Sequence, residues 1–241
     1  MRLVIVFTLC LGMLVSSAIS AETAKRSQDQ AFTNSQTFIN QHPDLRFRHR
    51  GLKAYKKARY GEALFNFKLA AKYADKPSQG MVAEMLWKGE GVAVDRPQAY
   101  AWSDLAAERN YPSMVISREK MWSLLSEAER EQAVVSGRKI YELYSDAVAK
   151  PRMDAVLVQT KRNSVPGSRL GFVTTVDIAN NDPIALAHDN GIPGYEGEFF
   201  YQDKLWEPSE YWKWQDAAWS RPLAGNVEIG PIETNPEAGK K

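Results

Sequence analysis

Several residue types are scarce in this 241-residue chain, and each scarcity excludes a class of protein. One cysteine and three histidines make a disulfide framework, or a metal site that uses these ligands, hard to assemble. The charges nearly cancel, because 31 Lys and Arg face 29 Asp and Glu, a formal net charge of +2. Nucleic-acid binders usually carry a clustered basic excess, and this balance does not indicate one. We therefore expect no nucleic-acid partner.

Motifs for catalysis are also missing from the sequence. It has no Gly-x-Ser-x-Gly elbow, no His-Glu-x-x-His pair and no phosphate-binding glycine loop. The acidic stretch 177–182 lacks the glycine that a calcium loop requires. The sequence therefore predicts no catalytic residue, no cofactor and no metal, which is typical of a protein that is not an enzyme.

A long apolar run is present at the N terminus. Residues 1–21 combine Arg2, an apolar stretch and a series of small residues, which is typical of a secretory signal peptide cleaved near Ser20 or Ala21. A membrane anchor is the weaker alternative, because a spanning helix needs about 20 apolar residues. Cys10 follows Leu9, a large residue, so we do not expect lipidation. These features predict a periplasmic or secreted protein with no membrane span after cleavage.

The middle of the chain has a helical pattern. The polar stretch 22–42 is interpreted as a mobile lead-in with one short helical turn around 32–39. After it, apolar residues recur at spacings of three and four over 43–148. Asp95 precedes Pro97 and Gln98 as a helix N-cap would, and Ser126 with Glu129 forms a second capping box.

An internal repeat lies within this helical region. The segment that begins at Ala63 aligns with the segment that begins at Ala99, with an offset of 36 residues. A period near this length with two helices in each unit is typical of a helical solenoid, whose units bury their apolar faces on their neighbours. An irregular helical bundle with a chance match is the alternative.

Residues 84–113 resemble a Sel1-like repeat, a unit related to the tetratricopeptide helical repeats. The positions that carry the resemblance are Leu86, Gly89, Gly91, Val92, Asp95, Ala99, Trp102, Ala106 and Ala107. Residues 44–77 are similar to a tetratricopeptide unit, and 113–144 would be a divergent capping pair. The resemblance, to a bacterial exported member of this group, implies a stack of about three helical hairpins that serves as an adaptor for another protein.

The C-terminal part changes character. Ala149 to Pro151 is interpreted as the end of the helical repeats, and 149–234 as a small mixed α/β segment. The β-branched stretches 155–160 and 170–178 predict strands, with further strands suggested at 198–202 and 227–232. A helix is predicted from Pro208 to Trp219, and a disordered end over 235–241. The predicted fold is thus mainly α, with this segment after the solenoid.

Aromatic residues are concentrated in the predicted C-terminal helix and just before it. They are Trp206, Tyr211, Trp212, Trp214 and Trp219. One interpretation is a binding platform for cell-wall glycan, or part of an envelope hydrolase, and the other is a patch that packs the tail on the repeats. We favour packing, since large aromatic side chains are mostly buried. The predicted function is an exported, non-catalytic adaptor in the bacterial cell envelope, with the glycan-binding module or hydrolase as the alternative.

Overall fold

The computed structural model describes residues 33–164 and 202–220, and every regular element in these ranges is helical. The mainly α fold predicted from the sequence is therefore confirmed there. A 3₁₀ turn, Ala107–Arg109, extends the fifth helix. The helices are α1 (Gln36–Gln41), α2 (Pro43–Lys56), α3 (Tyr60–Ala71), α4 (Lys76–Lys88), α5 (Arg96–Ala106), α6 (Pro112–Leu124), α7 (Glu127–Tyr144), α8 (Asp146–Ser164), α9 (Asp203–Trp206) and α10 (Pro208–Trp219).

The larger of two hydrophobic cores, which we call the first core, includes Phe67, Leu86, Trp102, Leu105 and Met121. Two antiparallel hairpins form its centre. Helix α2 pairs with α3, α4 pairs with α5, and the two hairpins join through α3 and α4. The aligned residues Ala63 and Ala99 are both fully buried, so their small side chains let neighbouring helices approach closely. Phe67, Leu86 and Trp102 fill the space between the helices. This stacking is what the repeat pattern predicts for the first two units.

Local signals in the sequence set the helix ends in this core. The side chain of Asp95 accepts a hydrogen bond from the backbone N–H of Gln98 at 2.9 Å, and Ser126 and Glu129 form the expected capping box. Gly89 ends α4 with a φ of 76°, and Gly91 has a φ of 74°. This left-handed region disfavours side chains, so the two glycines permit the tight turn between α4 and α5.

The third unit differs from a regular hairpin. Helices α6 and α7 occupy the positions expected for the divergent pair, but both pack mainly on α5 rather than on each other. Only Met121 of α6 is buried. Ala133 and Ile140 of α7 are buried, and Ile140 belongs to the first core. The unit therefore covers α5 from two sides, and α6 remains accessible along much of its length.

The prediction of a strand over 155–160 is wrong. These residues lie in α8, which continues through Pro151 to Ser164, so the helices do not end at Ala149. Ala149, Met153 and Leu157 are spaced by four residues and fully buried, which places them on one helical face. That burial outweighs the β propensity of the neighbouring valines.

The described C-terminal residues are helical, which leaves the mixed α/β segment unsupported. The helix from Pro208 to Trp219 is confirmed at both ends. The strands predicted over 170–178 and 227–232, most of the one over 198–202, and the end 235–241 lie outside the described residues.

A second core joins the two ends of the described chain. It contains α1, the start of α2, and helices α8, α9 and α10. Within the expected lead-in, 36–41 form α1, near the helical turn expected around 32–39, and Phe38 and His42 are completely buried. Trp206 and Trp214, which contact the ring of Phe38, are far away in sequence, so a local pattern could not reveal this burial. The apolar members of this core are Phe38, Leu45, Met153, Leu157, Leu205, Trp206 and Tyr211.

Candidate functional site

An open groove of about 460 Å³ runs between α2, α4 and α6, and we call it the apolar groove. The first helix of each unit forms its walls, while α3 and α5 contribute to its floor. Trp219 of α10 lies at its edge. The apolar side chains that line it include Leu52, Phe67, Met81, Met114, Met121 and Trp219.

Small and adaptable residues shape the apolar groove. Gly80 of α4 faces α6, and a methyl group added there would lie 3.3 Å from the sulfur of Met114. The missing side chain leaves room for the side chain of Met114 beside α4. Three methionines line the groove, and their unbranched, polarizable side chains can repack around ligands of different shape. Leu52 lies at the entrance and is 40 % exposed.

A second groove of about 540 Å³ adjoins the first, and we call it the basic groove. The two grooves share Arg48 and Leu52 in their linings. Arg48 is held by Asp75 at 2.7 Å. The other residues that line the basic groove are Thr33, Asn34, Ile39, Leu45, His49, Lys53, Lys56, Lys57 and Trp214.

Positive charge is clustered on α2, which the balanced total concealed. Seven of the 31 Lys and Arg residues fall within residues 43–59, together with a single acid, Asp44, which is buried. Lys53, Lys56 and Lys57 form no ion pair within residues 33–164 and 202–220. Whole-chain charge totals do not reveal this local cluster.

The five aromatic residues of the C-terminal segment are distributed over different environments. The rings of Trp206 and Tyr211 are buried in the second core. The indole N–H of Trp212 donates to Asp154 at 2.7 Å, and its ring packs against Arg109 and Lys150. Trp214 lines the basic groove, whereas Trp219 lines the apolar groove. The five rings therefore do not form one exposed platform.

The nine residues that carry the repeat resemblance serve mainly to build the fold. Gly89, Gly91 and Asp95 shape the connection between α4 and α5, and Val92 is partly buried against the first core. Of the nine, Ala106 reaches the lining of the apolar groove. The remaining four are buried: Leu86, Ala99, Trp102 and Ala107.

A buried ionic network ties α8 to the repeat hairpins. The ammonium group of Lys76 lies 2.7 Å from Glu108 and 3.1 Å from Asp146, and it donates to the carbonyl of Leu105 at 2.9 Å. Burial lowers the pKa of Lys76, and the two carboxylates oppose this effect. Burial would raise the pKa of Asp146, but the hydrogen bonds and charge of Arg109 hold it at about 2. These charges are paired with one another, so the buried ammonium group of Lys76 is not left uncompensated.

A second polar cluster holds α10 and α9 against the start of α2. The fully buried imidazole of His42 lies 2.9 Å from the carbonyl oxygen of Phe38 and 3.0 Å from that of Leu205. The hydroxyl of Tyr211 donates to Asp44 at 2.5 Å, and Gln215 donates to the same hydroxyl oxygen. Burial lowers the pKa of His42 to about 4. Burial, together with the charge of nearby Asp75, raises the pKa of Asp44 to about 7.

The chain matches no family model, no curated protein and no solved structure. The resemblance to Sel1-like repeats therefore stays a prediction from the residue pattern, while the stacked helices are observed in the structure itself. In the two described ranges, no group of three or more His, Cys, Asp or Glu could hold a metal ion. The helices of the same ranges include none that is long and apolar enough to cross a membrane.

Proposed function

We propose that this protein is a non-catalytic adaptor, exported from a bacterial cell to the periplasm or beyond, that binds a segment of another protein in the apolar groove. The observation that carries the proposal is the open groove between α2, α4 and α6 with its lining of three methionines. Grooves between helices with such linings accept apolar side chains of peptides, and methionine tolerates variation among ligands.

The placement of titratable groups supports binding rather than catalysis. His42, Asp44 and Lys76 are buried and Asp146 is partly buried. Each is paired with another side chain or with the backbone, and none of them lines the apolar groove. The acid that does line it, Glu84, lies 2.9 Å from Lys88. General acid–base chemistry needs a titratable group that can reach the substrate, and Glu84 is the one acid that the apolar groove offers among the described residues.

A substitution at the groove entrance tests the proposal. Leu52→Arg places a charged side chain between the two grooves, and Leu52 is exposed enough for the fold to accept it. Val135→Arg is the matched control, because Val135 is 70 % exposed on α7 and lines neither groove. The experiment compares proteins captured from envelope extract by the wild-type chain and by each variant, after thermal melts show that both variants fold.

We expect a discrete set of proteins to bind the wild type and the Val135 variant, and to be lost from the Leu52 variant. Equal capture by all three chains would contradict a role for the groove. Retention on insoluble peptidoglycan that Trp214→Ala abolishes and Leu52→Arg leaves intact would instead support the glycan-binding alternative, with Trp214 as a contact residue.

A further inference from the structure

We infer that the segment bound in the apolar groove is acidic as well as apolar, with its carboxylates facing Lys53, Lys56 and Lys57 in the basic groove. The inference rests on the proposed function and specifies the chemistry of the partner. The occupant would be an amphipathic stretch of another protein, whose apolar side chains fill the first groove while Asp or Glu side chains occupy the second.

The two grooves adjoin each other along α2. Arg48 and Leu52 belong to both linings, so a segment that leaves the apolar groove over Leu52 reaches the basic groove. The volumes, about 460 and about 540 Å³, are similar. A single segment that occupies both would therefore meet an apolar surface along one part and cationic groups along the next.

Positive charge is concentrated at the C-terminal end of α2. Lys53 and Lys56 lie three residues apart on one helix face, where like charges repel each other, and Lys57 follows as the C-cap. Cations in the last turn do interact favourably with the helix dipole. The described residues nonetheless provide no carboxylate for Lys53, Lys56 or Lys57, whereas Arg48 is already held by Asp75. Carboxylates of a bound segment would remove this repulsion.

The apolar lining favours an acidic protein segment over a nucleic acid or another polyanion without apolar groups. A nucleic acid would contact the lysines through its phosphates, yet it would leave the methionine-lined groove exposed to water. A protein segment with Leu, Met or Phe beside Asp or Glu satisfies both surfaces. Electrostatic complementarity of this kind determines orientation and partner choice more than total affinity.

Selection of peptides from a random displayed library tests the inference without assuming a particular partner. The target is the whole chain after removal of residues 1–21. We expect the enriched peptides to combine several large apolar residues with two or more acids. Synthetic copies, labelled for fluorescence polarisation, should bind the wild type and lose binding to the Leu52→Arg variant.

Charge reversal then assigns the acidic preference to α2. The variant Lys53→Glu/Lys56→Glu/Lys57→Glu should weaken binding of the enriched peptides by about tenfold or more, since three exposed pairs are lost. Synthetic peptides in which Lys replaces the acidic residues should bind this variant more tightly than they bind the wild-type protein. The control is Lys72→Glu/Arg138→Glu/Lys139→Glu, which reverses three charges that line neither groove.

The outcomes separate the inference from the proposed function. Enriched peptides that need Leu52 but show no acidic preference, or that bind the α2 charge-reversal variant normally, would overturn the inference alone. If no enriched peptide depends on Leu52, both proposals fail. Lysine-dependent binding of duplex DNA or heparin that Leu52→Arg leaves intact would replace a protein segment with a polyanion, and concentration-dependent dimerisation blocked by Leu52→Arg would identify a second copy of the chain as the occupant.

Discussion

The pKa values of His42 and Asp44 are shifted in opposite directions, so their effects on the pH dependence of stability oppose each other. Both are buried where α9 and α10 meet the start of α2. Burial lowers the pKa of His42 from 6.5 to about 4, although the carbonyls of Leu205 and Phe38 oppose this. Burial raises the pKa of Asp44 from 3.8 to about 7, and the groups that face it are Asp75, Tyr211 and Arg48.

The two shifts have opposite consequences for stability. The raised pKa of Asp44 contributes stability that is complete below about pH 3.8 and is lost as the pH rises through 7. The lowered pKa of His42 contributes stability that is present above about pH 6.5 and is lost as the pH falls towards 4. Between these limits the folded pair holds one proton on Asp44, and the unfolded pair holds one proton on His42. The free energy of unfolding should therefore change little with pH in this range.

Asp44→Asn removes one side of this balance. We expect the free energy of unfolding of the variant to fall by about 1.4 kcal/mol per pH unit between pH 6.5 and 4.5, because the contribution of His42 then stands alone. Urea unfolding at three pH values measures this slope, and the wild type should be nearly flat. His42→Gln is the matched control and should show the opposite slope. Parallel profiles for the wild type and the Asp44 variant would show that the two groups do not titrate as described.

The connection between α4 and α5 requires a glycine at position 91. Gly91 has a φ of 74°, and a methyl group added to it would lie 2.6 Å from the backbone carbon of Tyr60 and 2.7 Å from the nitrogen of Gly61. The turn therefore packs directly against the start of α3. Neither the backbone conformation nor the contact leaves room for a side chain.

Gly91→Ala should destabilise the protein by more than about 1 kcal/mol, because it combines an unfavourable φ with a backbone clash. Gly61→Ala provides the control on the other side of the same contact. A methyl group at Gly61 would meet nothing within 4 Å, and alanine favours the helix by about 0.5–1 kcal/mol. Thermal melts should shift in opposite directions for the two variants. Equal shifts would mean that the turn adapts to the added methyl group.

Elements governed by nearby residues could be predicted from the sequence. The cap at Asp95, the box at Ser126 and Glu129, and the helix from Pro208 to Trp219 each depend on contacts within a few positions. The structure confirms all three. The alanines that align in the repeat are likewise buried between the first two hairpins.

Elements that depend on distant partners could not be predicted in this way. The stretch 155–160 is β-branched locally, but the helical face formed by Met153 and Leu157 is buried against α9 and α10. The apolar groove needs three helices whose relative positions no local pattern specifies. The role of His42 depends on a carbonyl 163 residues away.

At the scale of the whole molecule, the second core makes the C-terminal helices part of the fold. Trp206 and Tyr211 pack with Phe38 of α1 and with Met153 of α8. Arg109 and Tyr111, beside the 3₁₀ turn, add contacts to Asp216 of α10. Helices α9 and α10 therefore connect α1, the repeat hairpins and α8.

A chain that ends at Ser164 lacks α9 and α10, and we expect it to melt at a lower temperature and to bind the dye ANS. Loss of one large buried aromatic residue costs about 3–5 kcal/mol, and this truncation removes two, Trp206 and Tyr211. A chain that ends at Ser220 is the control, because it keeps every described member of the second core. Identical melts for the two truncations would show that the hairpins and α8 are stable without this core.

The bond from His42 to the carbonyl of Leu205 also has a consequence for the order in which the chain acquires its structure. Each hairpin of the first core joins helices adjacent in sequence, whereas the second core requires a loop closure of 163 residues. Until that closure forms, the apolar face of α1 has no native partner in α9 or α10. The first helix of the described residues is therefore among the last to reach its final packing.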